Sequence, residues 1–133
     1  MQLKKVLSNI LGMKKTRVLG CEFVSDGLVV DVAPTTQLIR CCGCGCRVRR
    51  AYDRRSGRLW RHIDLGGMQV HLRYDLRRGD CARCGVRTEL VPWAEPDSMF
   101  TRPFEDQVAY LAQRIDKTAT AGLMRIAWST VGS

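Results

Sequence analysis

Seven cysteines fall at positions 21, 41, 42, 44, 46, 81 and 84, and four of them form two matched groups. The groups are Cys41-Cys42-Gly43-Cys44-Gly45 and Cys81-Ala82-Arg83-Cys84-Gly85. Two thiolates two residues apart aim both sulfurs at one ion, and a following glycine lets the backbone turn tightly around them. Two such pairs fill all four corners of a tetrahedron. This suits a structural zinc ion, because no position is left for a catalytic water. The predicted ligands of a single Zn²⁺ are therefore Cys41, Cys44, Cys81 and Cys84. Cys42 and Cys46 make an alternative pair in the first group, but only Cys41 with Cys44 reproduces the arrangement of Cys81 and Cys84. An iron-sulfur cluster uses the same ligands, although the paired spacing favours zinc. A thiol-disulfide enzyme is disfavoured by two matched pairs and by the lack of a βαβ pattern around either. The odd cysteine count and the absence of a convincing secretory signal point to a reducing, cytoplasmic setting rather than disulfides.

The second chemical feature is arginine. The chain of 133 residues has a net charge of +9. Thirteen arginines, no lysine and only four acids lie between Arg40 and Arg87, while the flanking segments nearly cancel. A planar guanidinium makes paired hydrogen bonds to phosphate oxygens, so this excess points to nucleic acid. Arg47, Arg49, Arg50, Arg54, Arg55 and Arg58 are the candidate phosphate contacts. No apolar run approaches the length of a membrane span. Lys4, Lys5, Lys14 and Lys15 flank a short apolar helix face, but it lacks the aromatics and width of a membrane anchor. His62 and His71 are expected to pack or face solvent, since four better-spaced thiolates lie close by.

These side chains need a scaffold, and the expected class is α+β. Leu3, Val6, Leu7, Ile10 and Leu11 mark one face of an N-terminal helix ending at Gly12. Thr16 to Ser25 and Leu28 to Ala33 read as a hairpin, with Leu19, Cys21 and Phe23 on one face and Leu28, Val30 and Val32 facing them. Met68, Val70, Leu72, Tyr74 and Leu76 alternate with polar residues, a half-buried strand whose partner is Leu59 to Asp64. Val48 to Asp53 is predicted as a strand, Arg54 to Arg58 as a basic hairpin loop, and Val86 to Val91 as a last strand. The segment from Pro92 to Ser98 reads as a proline-rich linker pinned by Trp93. Beyond it, Thr101 is expected to cap a helix bearing Phe104, Val108, Leu111 and Ile115, and Asp116 a second, Lys117 to Met124. A third begins near Trp128. The run Ala121-x-x-Met124-Arg125-Ile126-Ala127-x-x-Thr130-Val131 has helix-turn-helix spacing, with Met124, Ile126 and Val131 packing the corner.

Several ordered motifs resemble the ISL-three family of insertion-sequence transposases. They are the two cysteine pairs, the run Arg58-Leu59-Trp60-Arg61-His62-Ile63-Asp64-Leu65-Gly66-Gly67, and Val91-Pro92-Trp93-Ala94-Glu95-Pro96. The segments from Phe100 to Glu105 and from Lys117 to Val131 continue the match. The resemblance implies an N-terminal region that binds the terminal inverted repeats of a mobile element, with strand transfer done by a separate acidic catalytic domain that this chain lacks. It adds Arg125, Ser129 and Thr130 as candidate DNA contacts and leaves no catalytic residue in the chain. The expected division is 1–40 for the N-terminal helix and hairpin, 41–91 for a zinc ribbon of antiparallel strands, 92–100 for the linker, and 101–133 for an incomplete helix-turn-helix. The expected partners are double-stranded DNA, and either full-length transposase or a second copy of the chain, but no membrane. The alternative is a zinc-dependent interaction or regulatory module, such as a transposition inhibitor, without catalysis.

Overall fold

The computed structural model describes Lys5, Leu7, residues 11–25 and residues 27–131. It divides into two units, Met1–Thr101 and Arg102–Ser133.

The first unit is built on a sheet whose order is β1-β2-β6-β5. β1 (Thr16–Val24) and β2 (Gly27–Pro34) form the predicted hairpin. β2 then pairs in parallel with β6 (Met68–Cys81), which pairs antiparallel with β5 (Ala51–Leu65). β7 (Gly85–Thr88) adds to the far end of β6. Arg78 and Gly79 pair with both β5 and β7, so β7 lies on the side of β6 opposite β5. A second, two-stranded sheet joins β3 (Ile39–Arg40) to β4 (Arg47–Val48).

The period-2 pattern explains the main core. Leu28, Val30 and Val32 of β2 meet Val70, Leu72, Tyr74 and Leu76 of β6 on one face, all buried. Each fully buried aliphatic side chain of this kind contributes about 1.5–3 kcal/mol. Trp60, Trp93 and Tyr74 close the core as two edge-to-face pairs, with Trp93 5.4 Å from each of the other rings. Trp93 is fully buried, so the proline-rich segment is tied to the sheet at that point. The same segment ends on the outer edge of β5, where the Arg61 amide donates to Met99 O and the Thr101 amide donates to Arg61 O. The N-terminal helix lies mostly outside the described residues. Of its apolar face, Leu7 and Leu11 are buried in the main core.

Three expectations need correction. Arg54 to Arg58 is no hairpin loop: β5 runs through it, absorbing one extra residue in a register shift between Arg55 and Arg58, with Gly57 at φ 67°. The strand expected over Val48 to Asp53 breaks at Arg49 and Arg50, where the chain leaves the small sheet for the large one. Leu19 does not share a face with Cys21 and Phe23, and both Leu19 and Phe23 are exposed. A register shift between Val18 and Gly20 takes Leu19 out of the alternation, and Phe23 sits at the tip of an edge strand.

The second unit holds α1 (Arg102–Ala112), α2 (Lys117–Met124) and α3 (Trp128–Val131). Asp116 caps α2 as expected, its Oδ1 accepting from the Ala119 amide at 2.6 Å. Arg125 ends α2 in the left-handed conformation, φ 54°, and its amide donates back to Ala121 O. The Ile126 amide donates to the same oxygen, which turns the chain sharply into α3. Thr120, Ala121 and Met124 are buried at this corner, and Ile126 and Val131 are half-buried.

Candidate metal centre and basic surface

Each cysteine pair sits at the turn of a hairpin. The first lies between β3 and β4, and the second between β6 and β7. The two turns share their local design. In the first, the Gly45 amide donates to Cys41 O at 2.8 Å, and the Gly43 amide donates to Cys41 Sγ at 3.3 Å. Gly45 and Gly85, which follow the pairs, adopt φ values of 75° and 76°, open to glycine and strained for other residues. Gly43 leaves little space for a side chain: a Cβ there would lie 3.0 Å from Cys84 Sγ.

The sulfurs of Cys41, Cys44, Cys81 and Cys84 all lie within 4.8 Å of one another. Cys44 Sγ is 3.6 Å from Cys81 Sγ. A tetrahedral zinc with bonds of ~2.3 Å has sulfur-sulfur edges of about 3.8 Å, so this donor set fits a thiolate-bound metal with little movement. The electrostatics point the same way. Amides of Cys84 and Arg83 donating to Cys81 lower its thiol to about 7. Hydrogen bonding to Cys41, followed by burial, pushes the Cys84 thiol up to about 12. A divalent cation bound among the four sulfurs would hold them as thiolates. Cys42 lies to one side, where the Thr88 hydroxyl donates to its sulfur at 3.5 Å, and Cys46 is exposed.

A small core supports the centre: Ile39 and Val48 pack with Cys41 and Cys81. Gly79 makes room for it, since a Cβ there would meet Val48 at 2.6 Å. A buried polar network then ties the first turn to the large sheet. Glu89, which bridges to Cys41 across the backbone, accepts from Tyr74 Oη at 2.8 Å and from the Arg77 amide and Nε at 2.9 Å each. Its other oxygen accepts from Arg77 Nη2 at 2.8 Å. Arg77 Nη1 continues to Gln37 O. Burial, followed by the bond to Glu89, raises Tyr74 to about 12, so it stays a neutral donor. Sequence reasoning missed this network. Its one signal is Glu89, an acid directly before the apolar run Leu90 to Ala94.

The candidate phosphate contacts fall on the same unit. Arg47, Arg49, Arg50, Arg54 and Arg55 are exposed. Arg58 is half-buried: its Nη2 donates to Ser98 O at 3.0 Å, and its guanidinium lies 5.0 Å from the Trp60 ring centroid. Arg125 and Thr130 belong to the α2–α3 corner of the other unit, and Ser129 lies in α3. His62 is buried, and its Nδ1 lies 2.8 Å from Thr101 Oγ1. Burial lowers its pKa, while a hydrogen bond to the Leu11 backbone opposes the shift. It is thus a neutral strut between segments. Half-buried His71 lies opposite Arg61 on the β5–β6 ladder, away from the cysteines. No described helix is long and apolar enough to cross a membrane.

Comparison with known proteins agrees with this geometry. Residues 37–84 match the zinc-finger of transposase IS204/IS1001/IS1096/IS1165, and residues 89–133 match the helix-turn-helix domain of transposase family ISL3. Two curated relatives, each named transposase for insertion sequence element IS1557, come from Mycobacterium tuberculosis strains CDC 1551 / Oshkosh and ATCC 25618 / H37Rv. Each is 39% identical over 133 residues, covering 93% of this chain. The chain spans 30% of the length of these relatives. No solved structure matches it. The chain thus matches, in order, a zinc-finger and a helix-turn-helix region of ISL3-type transposases, and the four-thiolate centre and the helical corner fall within those two regions.

Proposed function

We propose that the chain is a DNA-binding region of a transposase, in which one structural Zn²⁺ on Cys41, Cys44, Cys81 and Cys84 holds an arginine-bearing sheet in shape. The observation that carries this reading is the convergence of four sulfurs within 4.8 Å in the unit that also exposes Arg47, Arg49, Arg50, Arg54 and Arg55. Those arginines and Arg58 clamp phosphates. The α2–α3 corner, with Arg125, Ser129 and Thr130, supplies base readout. The DNA recognised is the terminal inverted repeat of the mobile element. Transposition itself requires a joined catalytic domain, and no residue of this chain is assigned to strand transfer.

Two measurements test this. Elemental analysis of the purified chain should give one zinc per molecule. A labelled duplex carrying a terminal repeat, titrated across salt, should show log K falling with log[salt] at a slope of about −5 if six arginines each meet a phosphate. An affinity indifferent to salt refutes the phosphate contacts, and a metal-free folded protein refutes the zinc centre.

A further inference from the structure

The face of the sheet opposite the main core carries a groove of about 800 Å³ that none of the readings above uses. Arg73, Asp75 and Arg77 alternate with the buried residues of β6 and therefore point to this face. Residues directly opposite each other on a ladder share a face. Asp31 of β2 is opposite Arg73, and Arg54 of β5 is opposite Arg77. Arg17 of β1 is opposite Ala33, whose small side chain keeps the groove floor low. The lining thus crosses all four strands and carries four guanidiniums, of which Arg73 is ion-paired to Asp31 and Glu22 and Arg77 to Glu89.

These guanidiniums fall into two kinds. Arg73 and Arg77 are fixed donors. Asp31 accepts from Arg73 Nε at 2.7 Å and from Nη2 at 3.1 Å, and Glu89 holds Arg77. Arg17 and Arg54, on the two edge strands, have no acidic partner within ion-pair distance among the described residues. At ~4.8 Å per strand, three steps set them about 14 Å apart across the sheet. Arg54 also lies opposite Arg77 across the ladder, so the two guanidiniums share this face.

We propose that this groove holds a sugar-phosphate strand of the bound DNA, with Arg17 and Arg54 as its mobile clamps and Arg73 and Arg77 as fixed donors. A concave surface receives a ridge, and the ridge of a duplex is one backbone strand. Continuity favours DNA over an acidic peptide: Arg54 belongs both to this groove and to the exposed arginine run, so a strand held by that run continues into the groove. The inference rests on the DNA-binding function proposed above. It adds Arg17, from a hairpin outside the zinc ribbon, to the interface.

Arg17 provides the cleanest test, because it lines the groove and lies outside the arginine run. Zinc-loaded full chain is titrated with labelled duplex across salt as wild type, R17A, R17K and K14A. The groove predicts that R17A lowers the salt slope by about one. It also predicts that R17K retains the slope, and that K14A, an equal charge change outside the groove, leaves it unaltered. Wild-type binding with an unchanged R17A slope overturns the groove while leaving the DNA-binding function intact. Failure of the wild-type chain to bind any duplex overturns both. Binding of inorganic phosphate that depends on Arg17, with no R17A effect on duplex, assigns the site to free anion and also overturns the groove as a DNA contact.

Discussion

Glu89→Gln is the substitution that most directly probes how the sheet supports the metal centre. The change keeps the side chain's shape and removes its charge. Glu89 Oε2 accepts three hydrogen bonds and Oε1 accepts one, from Arg77 Nη2. A glutamine must place its NH₂ at one of these positions, so at best a single donor-acceptor contact becomes a donor-donor clash. Losing one charge-assisted hydrogen bond costs about 1.5–3 kcal/mol. The Arg77 guanidinium, whose side chain is 13% exposed, also loses its counter-charge. Breaking a buried pair in this way costs roughly 3–5 kcal/mol in total. Urea denaturation of the zinc-loaded chain measures that loss, and competition with a chromophoric chelator measures the accompanying fall in zinc affinity. The double substitution Arg77→Leu with Glu89→Leu should recover most of the stability, because an apolar pair carries no stranded charge. A Glu89→Gln protein within about 1 kcal/mol of wild type, or a double variant no better than the single, would refute the reasoning.

Other consequences can be measured independently. Cys44→Ser should release zinc and abolish the cooperative unfolding of the ribbon, whereas Cys42→Ser should keep both; elemental analysis with thermal melts reads the difference, and the reverse outcome moves the ligand set. Trp93→Ala should cost about 3–5 kcal/mol in chemical denaturation, since it empties a fully buried site packed on two rings. His62 has a folded pKa below 6.5, so below that value the unfolded chain binds the extra proton and stability falls with pH. His62→Asn should flatten that part of a stability-pH profile, and an unaltered profile would place the acid sensitivity elsewhere.

The local features were legible in the sequence and the long-range ones were not. Cysteine spacing marked the four sulfurs that meet, because both halves of the site are short turns whose geometry three or four residues determine. Strict alternation from Met68 to Leu76 marked the central strand and its buried face. The parallel pairing of Gly27–Asp31 with Gln69–Arg73 left no local trace, since nothing in either strand specifies which distant edge it meets. Gly57 was misleading for a related reason. Its positive φ serves an irregularity within β5, but next to Ser56 and among arginines it has the composition of a turn. Trp93 looked like a pin on a linker, and its role at the centre of two ring pairs depends on Trp60 and Tyr74 arriving from other strands.

The parallel β2–β6 pair also sets a timetable for synthesis. Leu28, Val30 and Val32 leave the ribosome about 40 residues before the strand that pairs beside them, a delay of roughly two to eight seconds at about 5–20 residues per second. During that interval the nascent hairpin presents an uncovered apolar face, and the first cysteine pair waits for the second. Zinc capture can finish when β6 and the turn after it emerge, whereas the apolar face stays open until Trp93 follows and packs on Trp60 and Tyr74.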